Sequence, residues 1–298
     1  MLAARFPLRR TILLLIALML AAILTTGCTK AKRQAQPALF AVTDAQGRKV
    51  GWLFGTIHAL PADVEWQTDA LRAAISDSGV LVVEVRDLKD GEAIAGTLRR
   101  LGTTTGLEPL MQRVAPSRRE ALATAFDAAG LELGRFRDVE TWAAALGLGS
   151  ALSAGDGMDR AAGTDLALLD AFAGRPIIGL ETATEQLSIF DRLDEDAQLA
   201  LLDALITDAG KRGPVLSDAW MRGDVQTLAR LTEEGLSGNE DLRDAVLTLR
   251  NARWIEQILP LLKAGERPLV AVGAGHLGGS DGLIALLEQR GMVVARAD

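Results

Sequence analysis

The longest sustained apolar stretch in the 298-residue chain comes near its start: TILLLIALMLAAIL, residues 11–24, a run of 14. A helix that crosses a bilayer needs about 20 residues. From residue 38 onward the apolar positions come instead in short periodic groups. ALFAVTD and RKVGWLF are two β-like runs separated by AQG, the pattern of a hairpin. A loop opened by Pro61 follows, then helical spacing from Asp69 to Ser76, then GVLVVEV, a continuous apolar strand. The C-terminal end repeats this order. RPLVAV reads as a buried strand, GAGH as a loop, SDGLIALLEQRG as a helix with Ser280 at its N-cap and Gly291 as its C′ stop, and MVVARA as a strand. Two such units at opposite ends of a chain are expected to be neighbours in one sheet.

Between them the spacing predicts helices over 117–129, 138–152, 162–173, 194–209, 216–233 and 237–264, with one more strand at RPIIGL, residues 175–180. The expected fold class is α/β: a sheet built from two βα(β) units carrying Gly-x-x-His loops, with a large helical insertion between them.

Arg5, Arg9 and Arg10 ahead of the apolar run give residues 1–27 the make-up of an export signal. The run ends in LTTGC, and Cys28 is the only cysteine. A small residue before a lone cysteine resembles the bacterial lipobox, with Thr25 where an aliphatic residue is usual. The expectation is a lipoprotein acylated at Cys28, a polar tether over residues 28–37, and one domain over 38–298, facing the periplasm from a membrane anchor. Thr29 after the cysteine is not the aspartate associated with inner-membrane retention, which points to the outer membrane. With no cysteine after position 28, no internal disulfide can form. Removing the three leader arginines takes the formal charge from −7 to −10. So acidic a chain is a poor candidate for a nucleic-acid partner.

The two histidines, His58 in LFGTIHAL and His276 in VGAGHLGG, each follow a glycine by three positions at the exit of a strand. Loops at the carboxyl ends of strands form the ligand crevice of open α/β sheets. Two imidazoles brought together there could bind a divalent metal, or one could act as acid or base while the other orients substrate. Glu84 is a charge inside an apolar strand, so its burial demands a partner, metal or arginine. Glu181 stands at the end of the central strand, as a site carboxylate or as one favoured by a following helix dipole. Arg250 and Asn251 fall on the apolar stripe of Leu247, Ile255 and Ile258 and must also find partners.

LFGTIHAL, LVVEV, GTDLALLDAFAGRPIIGLETATEQL, LRNARW and VGAGHLGG, in this order, resemble the TraB/PrgY/GumN family, which is related to the TIKI metalloproteases and more distantly to erythromycin-esterase and ChaN-like proteins. The resemblance covers residues 38–298. It implies an α/β fold in which both Gly-x-x-His loops and an acidic residue meet at one site, with divalent-metal-dependent peptide hydrolysis in the TIKI branch. Carried over, it implies His58, His276, Glu84 and Glu181 as ligands of Mn²⁺, Co²⁺ or Zn²⁺, with one of the glutamates as general base. Arg250 with Asn251 would steady an oxyanion or a substrate carboxylate, and Asp165 and Gln186 match further site positions. The expected function is thus a metal-dependent, peptidase-like hydrolase of the cell envelope. Two alternatives stand beside it: a non-catalytic lipoprotein that captures a peptide or small molecule, and a metal-independent, esterase-like hydrolase with histidine as base.

Overall fold

The structure is a computed structural model that describes residues 32–207 and 212–297. The expected leader and Cys28 lie outside the described residues. Six strands form one mixed sheet: β1 (Leu39–Thr43), β2 (Lys49–Thr56), β3 (Leu81–Val85), β4 (Ile177–Glu181), β5 (Leu269–Gly273) and β6 (Val293–Arg296), in the order β4-β3-β5-β2-β1-β6. β1 and β2 make the expected antiparallel hairpin, with β6 antiparallel on the outer side of β1. β2, β5, β3 and β4 run parallel, so their carboxyl ends lie side by side. Trp52 to Thr56 of β2 pair in register with Leu269 to Gly273 of β5.

The longer helices among the described residues are α1 (Asp69–Asp77), α2 (Gly91–Leu101), α3 (Arg119–Ala128), α4 (Thr141–Gly155), α5 (Thr164–Ala171), α6 (Ala183–Asp191), α7 (Glu195–Thr207), α8 (Arg212–Met221), α9 (Val225–Leu236), α10 (Leu249–Lys263) and α11 (Leu283–Gln289). Alternation along the strands divides the core between two faces, because successive side chains point to opposite sides. Phe54, Leu81, Val83, Leu269 and Ala271 meet Leu71 of α1, Leu168 of α5 and Trp220 of α8. Leu53, Val82, Val270 and Val272 meet Trp254, Ile255 and Ile258 of α10 and Leu283 of α11. A separate apolar core under α3, α4 and α7, built on Phe126, Ala144, Leu148 and Leu202, supports the helical middle.

Several boundaries differ from expectation. The stretch 216–233 is two helices, broken where Gly223 takes φ +63° and Asp224 caps α9 by accepting from the Thr227 N–H. The stretch 237–264 is not one helix. A short turn at Glu240–Arg243 and a π-helical segment at Asp244–Thr248 precede α10. Ser280 does not cap α11: the turn runs on to Gly282, where a Cβ would lie 2.2 Å from the Gly278 carbonyl oxygen, and Gly282 is the N-cap. Gly291 does close that helix, at φ +81°. α2 was not expected, and α6 is the helix implied by the alternative reading of Glu181. Within the expected tether, the Ala35 N–H donates to the Glu65 carbonyl (2.8 Å) and the Gln36 N–H to that of Met221 (2.7 Å). From Gln34 onward the described residues form one compact unit with its own cores.

Candidate functional site

Both Gly-x-x-His glycines are needed for close approach rather than for backbone freedom. A Cβ on Gly55 would meet the Ala274 Cβ at 2.9 Å, so the glycine at the end of β2 lets the loop after β5 lie against it. A Cβ on Gly273 would meet Glu84 Oε1 at 3.0 Å. Its absence lets the carboxylate accept the Gly273 N–H at 2.7 Å.

His58 follows β2 and is held from behind by the first turn of α5. Its Nδ1 donates to Asp165 Oδ2 at 3.1 Å, and Thr56 Oγ1 donates to Asp165 Oδ1 at 2.9 Å. Gly163 makes this possible, because a Cβ there would lie 2.3 Å from the His58 carbonyl oxygen. Asp165 is buried, whereas 68% of the His58 side chain is accessible. Among the described residues Nε2 has no protein partner, and His58 lines a cavity of about 840 Å³. The Asp165 charge, then its hydrogen bond, raise the imidazole from 6.5 to about 9, against the opposing effect of burial.

His276 is the opposite case: buried, with both nitrogens engaged. Asn251 directs its Nδ2 to the carbonyls of Asp281 (2.9 Å) and His276 (3.5 Å), so its Oδ1 faces His276 Nδ1 at 2.7 Å and must accept from it. His276 Nε2 then accepts from Arg250 Nη1 at 3.2 Å. Burial lowers His276 from 6.5 to about 4, so it is neutral over the ordinary pH range. The Trp254 ring lies against it, centroids 4.5 Å apart.

Arg250 is the hub. Its Nη2 donates to Glu84 Oε2 at 2.8 Å and to Glu181 Oε2 at 2.9 Å, and its Nε to Glu181 Oε1 at 3.1 Å. Glu84 also accepts from Gln186 Nε2 (3.1 Å), and Glu181 from Arg253 Nη2 (3.2 Å) and Trp254 Nε1 (3.1 Å). Burial opposes ionisation of Glu84, but Arg250, His276, His58 and the Gly273 N–H together outweigh it and hold the carboxyl at about 2. Two buried carboxylates thus share one guanidinium, a geometry suited to arginine's planar fork.

A model of the TraB/PrgY/gumN family matches residues 38–296. The chain belongs to this family. Comparison with curated proteins and with solved structures finds no match. In this TraB/PrgY/gumN chain the residues expected at the site lie at two depths. His58, Glu84, Gln186, Arg250 and His276 line the cavity. Asp165, Glu181 and Asn251 lie behind them. Asn251 is fully buried with both polar atoms committed, so it does not reach an oxyanion; it fixes the tautomer of His276 instead.

The four expected metal ligands do not converge as a donor set. Glu84, Glu181 and His276 Nε2 all face the Arg250 guanidinium, whose charge would repel a dication. Among the described residues no three His, Cys, Asp or Glu side chains form a group that could hold a metal ion. As arranged, the residues do not fit a resident Mn²⁺, Co²⁺ or Zn²⁺. The residues not anticipated are Thr56, which steadies Asp165, and Trp254, which supports Glu181 and His276. Thr56 ends its strand two residues before His58, and Trp254 lies four residues after Arg250, one turn along the same helix.

Proposed function

We propose that this protein is a hydrolase in which His58, oriented by Asp165, moves the proton of a water that attacks a carbonyl carbon. The observation that carries the reading is the geometry of one imidazole: Nδ1 on a buried carboxylate and Nε2 facing a cavity. This is the orienting half of a catalytic triad, recognised by geometry rather than by sequence order. Among the described residues neither cavity-lining hydroxyl, Ser150 or Thr232, hydrogen-bonds His58, and that of Thr232 donates to the Leu228 carbonyl, which favours water as the nucleophile. As water adds to the carbonyl, its proton passes to Nε2. The same proton then goes to the leaving group as the carbon–oxygen or carbon–nitrogen bond breaks, which yields a carboxylic acid and an alcohol or amine. Arg250 lines the same cavity, but its N–H groups are already committed to Glu84, Glu181, the Val246 carbonyl and His276.

No step needs a metal. The test is turnover of p-nitrophenyl acetate by residues 34–298 with and without EDTA, beside a His58→Ala variant. Activity that resists the chelator and disappears in the variant is expected. Loss to EDTA with recovery on added Mn²⁺, or unchanged turnover in His58→Ala, sinks the proposal.

A further inference from the structure

The walls of the cavity say what enters it. α2 is amphipathic, yet none of its residues is fully buried, and the Ile94 and Leu98 stripe faces the cavity. An amphipathic helix ordinarily buries its stripe against protein. α4 has the complementary anomaly: TWAAALGLGSALSAG is apolar on nearly every side, the pattern of a helix buried all round. One face, with Ala144, Ala145 and Leu148, enters the helical core. The other, with Gly147, Ser150, Ala151 and Ala154, lines the cavity. These small side chains leave a trough that runs for about 10 Å, seven residues at 1.5 Å each. Leu187 and Phe190 of α6 and Val246 of the π segment line the same cavity. Two helices therefore present apolar faces that the protein does not cover.

The polar end carries the opposite character. The His58 imidazole and the exposed Arg160 guanidinium both line it. The acidic residue among the lining is Glu84, whose charge Arg250 already neutralises. An apolar trough that ends at a guanidinium and an imidazole fits a molecule with an acyl chain and a carboxyl or carboxyl-ester head. A peptide backbone would bring a row of N–H and C=O groups against walls with few polar partners, a costly match.

We infer that the substrate is a single-chain acyl ester, its chain along α4 between α2 and α6 and its ester at His58. This deepens the hydrolase reading and rests on it for the reaction: ester plus water gives a fatty acid and an alcohol.

The test separates binding from turnover. Titration calorimetry of residues 34–298 with hexanoate, octanoate and decanoate should show affinity rising by on the order of 2- to 4-fold per methylene, more than about tenfold across the series. Ala151→Phe, which fills the trough, and Ile94→Asn, on the half-exposed face of α2, should each flatten that gradient in protein that still unfolds cooperatively on heating. Having two sites of substitution guards against one variant failing to fold. An affinity independent of chain length, a gradient untouched by both substitutions, or tighter binding of the tripeptide Leu-Leu-Leu than of decanoate would overturn the inference. Should the gradient hold while p-nitrophenyl decanoate is not hydrolysed, the acyl site stands and the hydrolase reading falls. Hydrolysis of the acetate that depends on His58, with no chain-length gradient, would mean the reverse.

Discussion

Replacing Arg250 with methionine tests the buried charge cluster without reference to activity. Methionine keeps the aliphatic length of the side chain but removes the guanidinium, so Glu84 loses its direct ion-pair partner and Glu181 loses one of two. Breaking a buried pair by deleting one partner costs about 3–5 kcal/mol. The lower end applies here, since Glu84 keeps Gly273 and Gln186 as donors and Glu181 keeps Arg253 and Trp254. A loss of about 3 kcal/mol lowers the melting temperature of a domain this size by roughly 6–12 °C. The pH dependence fixes the cause. In the native protein Glu84 lies at about 2, below its ordinary 4.5, so its contribution is full above 4.5 and is lost as pH falls toward 2. Without Arg250 the carboxyl is buried without its counter-charge and its pKa rises, so protonation favours the folded variant. The deficit of Arg250→Met is therefore largest at neutral pH and narrows on acidification. Adding Glu84→Gln and Glu181→Gln to the variant should recover more than half of it. Urea unfolding at pH 7 and pH 5 measures all of this. A deficit below about 1 kcal/mol, or one that widens at pH 5, would refute the argument.

With only two histidines, imidazole NMR resolves the rest of the site directly. One ring should titrate near 9 and the other near 4, with neither near 6.5; a pair of ordinary titrations would contradict both environments. Asp165→Asn should bring His58 down toward 6.5, and the alkaline rise of hydrolysis expected of a base with a pKa of about 9 should move to lower pH with it. Because His276 is held neutral, its stabilising contribution is full above 6.5 and is lost as pH falls toward 4. His276→Asn should therefore flatten the acid limb of stability over that window. Gly163→Ala, with its Cβ 2.3 Å from the His58 carbonyl oxygen, should displace the loop, and a variant with unchanged stability and turnover would count against that packing.

How far these features could be read from the chain depends on what periodicity can sense. The glycine-to-histidine spacing and the lone charge in LVVEV were visible because strands expose their alternation, and so the parallel pair of β2 and β5 and the burial of Glu84 follow the pattern. The π segment was not visible. Leu247, Ile255 and Ile258 look like one stripe, yet Leu247 packs with Leu236 and Leu242 while Ile255 and Ile258 enter the core against the sheet. Spacing does not sense a local widening of the helix, and this one splits the stripe just before Arg250. α2 escaped notice for another reason: its apolar residues do not join the protein core, so GEAIAGTLRRL lacks the density of a core helix. The metal expectation came from the types of residue present. What decides the donor set is that Arg250 arrives from a distant helix among the same carboxylates, which composition does not show.

The sheet order also carries a consequence for how the molecule comes into being. β5 lies between β2 and β3 although it follows them by almost two hundred residues, and it brings both His276 and the N–H that docks Glu84. A chain still being synthesised holds the first histidine together with Glu84, Asp165, Glu181 and Arg250, but the gap in its sheet stays open until the final strands arrive. Completion of the candidate site and closure of the sheet are then a single late event, so a chain truncated near its end loses His276 and its central strand together.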